Sequence, residues 1–333
     1  MFPLKQVRNN LGTCSVFKLW SAVDCMSGKG GSLRIVSIGE VLWDVFEENE
    51  FLGGAPLNFS GNLQRLGDSV ALVTAVGTDA RGILALEKMD TLGLTREFVQ
   101  ITVELPTGTA KVVTDASGSA SFVIDRPAAF DLLHADEVVL AKLKKFHPDW
   151  IYFGTLAQAD SINENVLLQI VHSCNGAKRF YDMNLRTGHW NLGLVQRLSR
   201  LATVVKLNDI EAELLFRLTH GEKRFSLVEF CEYWSSAYGV KTICITLGSK
   251  GCAVFTDTSL RIFAGYPIAV ADTVGAGDAF AAAFLHGLHL GWPLERVAPF
   301  ANALGAVVAS RPGPMPPWTM SDIDLIVCSR KCD

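Results

Sequence analysis

The sequence has no long hydrophobic run and no excess of charge of one sign. Every apolar stretch is shorter than the ~18 residues that a membrane-spanning helix needs, and the richest one, residues 279–292, contains two histidines. The 30 basic residues are balanced by 34 acidic ones, which gives a net charge of −4 and no basic footprint for nucleic acid. We therefore expect no nucleic-acid partner and no membrane partner.

Cysteine motifs and linkers are also missing. The eight cysteines are dispersed over 333 residues, without a Cys-x-x-Cys pair or the spacing of a zinc site. Dispersed cysteines in a chain of this length are typical of free thiols in a reducing compartment, so we expect a cytoplasmic protein. No repeat, low-complexity tract or Pro/Ser-rich linker divides the chain, and 49% of its residues are hydrophobic. These features predict one domain with a large core.

The first 33 residues differ from the rest in charge. They carry four basic residues and only one acidic residue, Asp24. No apolar segment with a small-residue cleavage site is present, which argues against a secretory signal and leaves a transit peptide as an alternative. We predict that residues 1–33 form an N-terminal extension that does not pack on a domain spanning residues 34–333.

Short apolar runs alternate with helical patterns along that domain. Strands are predicted at residues 33–38, 70–76, 150–153, 179–182, 202–207 and 242–247. Helices are predicted between them, at residues 58–66, 82–92, 161–173, 210–218 and 227–236. This alternation predicts an α/β fold with a mostly parallel central sheet covered by helices on both faces.

One region interrupts the alternation. Residues 107–123 contain two β-type runs around a turn at residues 115–118, and residues 41–46 read as another strand directly after the first one. We predict that these pieces form a small β-sheet that acts as a lid, with segments near 41–53 and 104–126. Acidic and polar residues, such as Glu40, Asp44 and Asp182, follow the predicted strands, at the sheet edge where open parallel sheets bind ligands.

The most informative segment is the Gly275-Ala276-Gly277 turn that precedes Asp278 and an apolar helix. The backbone N–H groups of the three small residues, with the helix dipole behind them, predict an anion hole suited to phosphate. A carboxylate beside such a hole fits a base that accepts a proton from an attacking hydroxyl. The alternative is that Asp278 only complements the helix dipole. The chain has no Gly-Lys-Ser/Thr motif, which excludes a P-loop enzyme.

A second segment, residues 52–59, contains Gly53-Gly54 and then Asn58 at the start of an amphipathic helix. The glycines allow a ligand to approach the backbone closely, and the Asn58 amide can both donate to and accept from sugar hydroxyls. The alternative is a turn followed by an N-cap asparagine.

Together the two segments resemble the signature regions of the ribokinase-like (PfkB) family of carbohydrate kinases, in the family's order and at about its spacing. The resemblance covers residues 34 to about 327 and implies a ribokinase-like fold and an ATP-dependent sugar kinase. It implies that Asp278 is the catalytic base and that Gly275, Ala276 and Gly277 form its anion hole. The sugar-binding positions that it implies are Asp44, Gly54 and Asn58.

The resemblance also implies a nucleotide site. Residues 206–211 match the family's Asn-x-x-Glu motif, in which Asn208 would face the ATP phosphates and Glu211 would hold the Mg²⁺ shell through water. The same comparison places Thr246, Gly248, Gly251 and Asn302 along the nucleotide. Residues 310–314 depart from the family's cation loop, which leaves a K⁺ requirement open. A homodimer formed through the lid is likewise left open.

The sugar is the least constrained part of this interpretation. Residues 39–44, 53–58 and 125–129 look most like fructokinases, and no basic residue between Gly53 and Leu63 would bind a substrate phosphate. We therefore expect phosphorylation of the primary hydroxyl of D-fructose, with 2-keto-3-deoxygluconate kinase or ribokinase as alternatives. A non-catalytic sugar-binding regulator is an alternative of another class, which the presence of Asp278 disfavours. A dehydrogenase is disfavoured because Gly-x-Gly-x-x-Gly does not follow the first strand.

Overall fold

The computed structural model describes residues 32–46, 49–114 and 120–329, in which strands and helices alternate as the sequence predicts. The strands, in chain order, are β1 Arg34–Ile38, β2 Leu42–Val45, β3 Glu50–Gly53, β4 Ser69–Gly77, β5 Val99–Thr102, β6 Gly108–Thr114, β7 Ala120–Asp125, β8 Trp150–Gly154, β9 Lys178–Asp182, β10 Val204–Asn208, β11 Thr242–Thr246, β12 Gly251–Thr256 and β13 Ser259–Ala264. The helices are α1 Ala55–Arg65, α2 Ala80–Thr91, α3 Glu137–Phe146, α4 Ser161–Ser173, α5 Leu192–Leu201, α6 Asp209–His220, α7 Leu227–Tyr238, α8 Ala276–His289, α9 Leu294–Ala309 and α10 Met320–Ser329.

The large sheet has nine strands in the order β13-β12-β11-β10-β9-β8-β1-β4-β5. Its strands from β11 to β5 pair in parallel, and the antiparallel β12 and β13 extend one edge. Parallel strands that are covered on both faces read as nearly continuous apolar runs. Strand β4 follows this rule, because all of its residues except the first are buried.

Helices cover both faces of the large sheet, as predicted. Successive side chains of a strand point to opposite faces, and in β1 Ile35 joins one core cluster while Val36 joins the other. The first cluster includes residues of α1, α8 and α9, and the second includes residues of α4, α5 and α7. The predicted ribokinase-like α/β architecture is confirmed.

The small sheet is a separate unit of four strands in the order β3-β2-β6-β7. Strand β2 pairs antiparallel with β3 and parallel with β6, and β6 and β7 form the predicted antiparallel hairpin. The turn predicted at residues 115–118 lies outside the described residues. On the described part, Leu42, Ala110 and Ile124 are buried together with Leu156 of the main body, so this face of the small sheet packs inward.

The predicted N-terminal extension falls almost entirely outside the described residues, which begin at Ser32. Its assigned end at residue 33 needs correction, because Leu33 is fully buried in the core and its backbone N–H donates to Asp68 Oδ1 at 3.2 Å. The packed part of the chain therefore includes Leu33.

In the described part of the chain, no helix is both long and apolar enough to cross a membrane.

Candidate active site

A cavity of about 380 Å³ lies between the carboxyl ends of the parallel strands and the inner face of the small sheet. The large sheet contributes residues at or just after the ends of β1, β9, β10 and β11, and the small sheet contributes Leu42, Ala110 and Ile124. Most of the predicted site residues line it: Asp44, Gly54, Asn58, Asn208, Glu211, Thr246, Gly275, Gly277 and Asp278. Residues from sequence positions more than 200 apart thus meet in one space, as expected for strand ends of an open parallel sheet.

Asp278 lies in the first turn of α8 and is only 9% exposed. Its Oδ2 accepts a 2.8 Å hydrogen bond from Asn58 Nδ2, which joins the two segments that the sequence singled out. Burial is the main cause that raises the pKa of Asp278 to about 6, and Asp182 adds to this effect, whereas Asn58, Lys206 and Arg186 oppose it. A carboxyl group with this pKa is ionised near neutral pH and retains more affinity for a proton than an exposed aspartate does.

The side-chain oxygen of Asn58 has no hydrogen-bond partner in the described part of the chain. This atom, Oδ1, is buried. Buried polar atoms usually have partners, so an unpaired acceptor at a cavity wall suggests a ligand donor. Asn58 can therefore hold Asp278 with its nitrogen and accept from a ligand hydroxyl with its oxygen.

The turn before α8 depends on glycine at position 275. Gly275 has φ +79°, and a Cβ there would lie 2.0 Å from the carbonyl oxygen of Pro314. The amide of Ala276 donates to Thr273 O at 3.3 Å, which closes the turn, while Gly275 and Gly277 face the cavity. The Ala276 N–H therefore already has a partner, which leaves the N–H groups of Gly275 and Gly277 as the candidates for the predicted anion hole.

Lys206 and Asp182 form a buried ion pair beside this turn. Lys206 Nζ lies 2.9 Å from both carboxylate oxygens of Asp182, and Tyr152 donates to Asp182 Oδ2 at 3.3 Å. A Cβ on Gly277 would lie 3.6 Å from Lys206 Nζ, so the ammonium group is next to the glycine turn. The neighbouring carboxylates raise the pKa of Lys206 against the effect of burial, which keeps it charged. A fixed positive charge thus lies at the predicted phosphate position.

Asp44 extends from the small sheet over the start of α1. Its Oδ2 would be 2.7 Å from a Cβ on Gly53, so glycine at that position leaves room for the carboxyl group. Gly54 has φ +103°, and a Cβ there would meet Glu40 O at 2.6 Å, so this position also needs glycine. Burial raises the pKa of Asp44 to about 7, against the lowering effect of Arg186 and with a further increase from Asp278.

Glu40, two residues after β1, is another carboxyl group in the same cavity. It is 4% exposed, and burial raises its pKa to about 7 although the backbone N–H of Ala55 favours its charged form. Asp278 thus lies beside Lys206 and the glycine turn, whereas Glu40 and Asp44 lie beside α1 and the small sheet.

Glu211 and Asn208 cap α6 reciprocally. The Asn208 side chain accepts from Glu211 N at 2.8 Å, and Glu211 Oε2 accepts from Asn208 N at 2.8 Å. Glu211 Oε1 accepts from Leu185 N at 2.6 Å. Each carboxylate oxygen already binds one N–H group, so the carboxylate suits a hydrated Mg²⁺ better than direct coordination. Within the described ranges, no group of three or more His, Cys, Asp or Glu side chains is arranged to hold a metal.

The remaining predicted nucleotide residues, together with Ala276, do not line this cavity. Asn302 on α9 donates from Nδ2 to Phe263 O and Ala264 O at 3.2 and 3.3 Å, which ties α9 to the end of β13. Gly248 begins a 3₁₀ turn and Gly251 follows its last residue, and a Cβ on Gly251 would lie 2.1 Å from Phe263 O. These contacts explain Asn302 and Gly251 by the local structure alone. Contact of these residues and of Gly248 with a nucleotide stays a prediction.

Sequence reasoning placed Glu40 and Asp182 at the ligand-binding edge of the sheet but assigned neither of them a contact with a ligand, and it gave Lys206 no role. Their shared signal is a charged residue inside or at the end of an apolar strand. Lysine is almost never buried without a partner, and Lys206 interrupts the apolar run of β10. The sequence could not show that its partner is Asp182, on the neighbouring strand β9.

Comparisons with known proteins agree with this geometry. A family model described as "pfkB family carbohydrate kinase" matches residues 31–320. The fructokinase of Solanum tuberosum is 28% identical over 307 residues, which are 85% of this chain and 91% of the relative. The ATP-dependent ribose-1-phosphate kinase of Halopiger xanaduensis is 25% identical over 299 residues, 84% of this chain and 93% of the relative. Relatives with different acceptors are thus about equally similar.

Among solved structures, a fructokinase from Xylella fastidiosa with bound ATP superposes with a TM-score of 0.78 at 21% identity. The match covers 90% of this chain and 99% of that one, so it extends over the small sheet as well as the large one. At this level of identity the comparison shows the fold.

Proposed function

The chain belongs to the PfkB family of carbohydrate kinases, and we propose that it transfers the γ-phosphoryl group of ATP to the primary hydroxyl of D-fructose to give fructose 6-phosphate. Membership of the family makes it a phosphotransferase with a sugar hydroxyl as acceptor. The choice of ATP and fructose rests on the site residues and on the named relatives. Kinases for ribose or 2-keto-3-deoxygluconate are the alternatives.

The observation that carries the proposal is the position of Asp278. Its carboxyl group lies in the cavity beside the Gly275 turn and is held by Asn58. In the proposed step, the acceptor oxygen bonds to the γ-phosphorus, the bond from that phosphorus to the β–γ bridging oxygen breaks, and ADP leaves. The proton of the acceptor hydroxyl passes to Asp278 Oδ. General-base assistance of this kind contributes ~10²–10⁴-fold.

The groups around Asp278 suit the charge that moves in such a step. Lys206 offers a positive charge next to Gly277, and its bond to Asp182 keeps the ammonium group in place. The N–H groups at the start of α8, with the dipole of that helix, favour negative charge at the same point. Preorganised charges in a site that excludes water are worth more than the same charges in solvent.

Mg²⁺ would enter with the nucleotide and, when bound, supplies positive charge to the phosphate oxygens. The residues that would hold its water shell are Glu211 and Asn208, at the end of β10. Both line the cavity on the side of Lys206, whereas Glu40 and Asp44 lie toward β1 and the small sheet. This separation supports a nucleotide at one end of the cavity and the sugar at the other.

Fructose is supported over the other acceptors by two observations. The curated relatives include fructokinases from plants and from Vibrio alginolyticus, and the segments around Asp44, Gly54 and Arg126 resemble those enzymes most. Helix α1 also carries no basic residue before Arg65 in its last turn, so its first turns offer no cation to a substrate phosphate.

The test is ATP turnover with the purified full chain against fructose, ribose, 2-keto-3-deoxygluconate, adenosine and fructose 6-phosphate. We expect the highest kcat/KM for fructose, with the product identified as fructose 6-phosphate. The Asp278→Asn variant is the blank for contaminating kinases. A higher kcat/KM for another acceptor would replace fructose, and no turnover with any of them would contradict the proposal.

A further inference from the structure

The carboxyl group of Glu40 has a feature that the proposed reaction does not explain. Glu40 is 4% exposed, and its Oε2 is fully buried without a hydrogen-bond donor among the residues that the structure describes. It lines the cavity that holds Asp44 and Asp278. Unpaired buried carboxylate oxygens are rare, because the lost hydration is not replaced.

The start of α1 accounts for only part of the environment of the Glu40 carboxyl group. The backbone N–H of Ala55, the first residue of α1, favours the charged form of Glu40. The N-cap position itself is Gly54, which has no side chain to cap the helix, so Glu40 replaces a local cap. The start of α1 thus favours the charge of Glu40, while Oε2 has no hydrogen-bond donor among the described residues.

The cations of the cavity are distributed unevenly around its carboxyl groups. Lys206 on β10 is paired with Asp182, on the side of Asn208 and Glu211. Arg186, which follows β9, lowers the pKa of both Glu40 and Asp44 and so lies near them. Glu40 follows β1, and Asp44 lies on the small sheet above it. The apolar side chains Leu42 and Ile124 close the remaining wall. The acceptor end therefore combines carboxyl groups with an apolar wall.

We propose that Glu40 is a second sugar-binding residue, whose Oε2 accepts a hydrogen bond from an acceptor hydroxyl and which, with Asp44, selects uncharged acceptors over phosphorylated or carboxylated ones. This inference rests on the proposed kinase function and names the substrate class of the same site. An uncharged polyol satisfies Oε2 with a hydroxyl donor. A fully ionised phosphate or carboxylate offers no donor, and it meets the two carboxyl groups of Glu40 and Asp44 against the one guanidinium of Arg186.

The Glu40→Gln variant tests the hydrogen bond. Its amide oxygen can still accept from Ala55, while a donating NH₂ group replaces the free acceptor at almost unchanged volume. We expect the KM for fructose to rise about tenfold, with the KM for ATP nearly unchanged and no fall in the melting temperature. Direct titration of fructose into the nucleotide-free protein should show the same loss of affinity.

Asp136→Asn is the matched control. The Asp136 side chain caps α3 by accepting from Val139 N at 2.8 Å, at an exposed position that does not line the cavity. Asp136→Asn makes the same change from carboxylate to amide at a helix N-terminus. The KM values for fructose and for ATP should both stay at the wild-type level. A melting temperature that falls in Glu40→Gln with an unchanged KM for fructose would reduce Glu40 to a helix cap and overturn the proposal.

Charge selection is measured by the ratio of kcat/KM for fructose to kcat/KM for 2-keto-3-deoxygluconate. We expect this ratio to be high in the wild type and to fall at least tenfold in Glu40→Gln. Glu40→Asp keeps the charge but shortens the reach, so it should raise the KM for fructose with a smaller change in the ratio. It also carries the test if Glu40→Gln does not fold.

The two proposals fail in different ways. If the wild type phosphorylates no sugar of the panel, the proposed function is wrong. If the wild type phosphorylates fructose but Glu40→Gln and Glu40→Asp both keep its KM, only the role of Glu40 is wrong. A wild type that prefers the anionic acceptor overturns charge selection.

Discussion

Asn58 Nδ2 donates a 2.8 Å hydrogen bond to Asp278 Oδ2, although the two residues are 220 positions apart. The bond joins the first turns of α1 and α8, which pack against each other. It favours the charged form of Asp278 and so lowers a pKa that burial raises. The amide thus tunes the group that is proposed to take the proton.

Loss of this bond should shift the pH dependence of turnover. Asp278 must be unprotonated to accept a proton, and its pKa is about 6, so activity should fall as the pH drops through that value. In Asn58→Leu the pKa rises further, and the acid limb should move upward by about one pH unit. The measurement is kcat/KM for ATP at saturating fructose, which keeps Asp44 and Glu40 occupied.

Asn62→Leu is the control for this shift. Asn62 lies one turn further along α1 and binds Asn58 O and Trp318 Nε1 but does not line the cavity. Its loss should lower stability and leave the limb in place. If the acid limb of the pH profile of Asn58→Leu stays at the wild-type pH, Asp278 is not the group that titrates.

Asp278→Asn removes the base and keeps the shape of the site. The new amide oxygen can still accept from Asn58, so we expect folding and the KM for ATP to change little. The kcat should fall by ~10²–10⁴-fold. Glu137→Gln, in the exposed first turn of α3, makes the same chemical change away from the cavity and should retain full activity. Wild-type turnover in Asp278→Asn would contradict the assigned role.

The buried pair of Lys206 and Asp182 should show strong coupling in stability. Lys206→Met leaves the Asp182 carboxylate buried beside Tyr152 without its cation. Removing one partner of a buried pair costs ~3–5 kcal/mol, whereas removing both costs much less. We expect Lys206→Met to lower the free energy of unfolding by this amount and the double variant with Asp182→Asn to recover most of it.

Denaturant unfolding of the wild type, both single variants and the double variant completes the cycle. Losses that simply add would mean that the two residues act independently. Phosphoryl transfer should stay impaired in the double variant even where stability returns, because the positive charge beside Gly277 is still missing.

Much of the fold follows from the sequence because burial on both faces leaves a clear apolar pattern. Helix α4 has the predicted bounds, since Asp160 caps it by accepting from Ile162 N, and the β6–β7 hairpin was also predicted. Strand β13 was missed because all of its residues are exposed or half-buried at a sheet edge, without an apolar run. Edge strands owe their position to pairing with a neighbour, which one segment of sequence does not reveal.

The site was predictable where local backbone demands left a signature. Gly275 and Gly54 both need positive φ next to another backbone, and each precedes a helix. The pairing of Lys206 with Asp182 and the free oxygen of Glu40 depend on the order of strands in the sheet. The strand order is set by the tertiary structure. In the amino-acid sequence alone, the same residues look like ordinary residues at strand ends.

Asp44 should illustrate a site residue that lowers stability in exchange for function. Burial raises its pKa from 3.8 to about 7, so the folded state binds a proton more tightly than the unfolded state between those values. The stability that this group contributes is therefore present below about pH 4 and is lost as the pH rises through 7. At pH 8 the folded protein holds an ionised carboxyl group in a poorly hydrated place. Asp44→Asn removes that cost, and at pH 8 we expect the variant to be more stable than the wild type by up to about 4 kcal/mol.

At pH 4 the two proteins should differ little in stability, because the wild-type carboxyl group is then protonated in the folded state. Function should change in the opposite direction. The KM for fructose should rise at least tenfold in Asp44→Asn, while the KM for ATP stays close to the wild-type value, since the predicted nucleotide residues lie at the other end of the cavity. Denaturant unfolding at both pH values, with the two KM values measured at pH 8, tests both halves. A variant that is less stable at pH 8, with equal rises in both KM values, would make Asp44 a structural support of the small sheet instead of a sugar ligand.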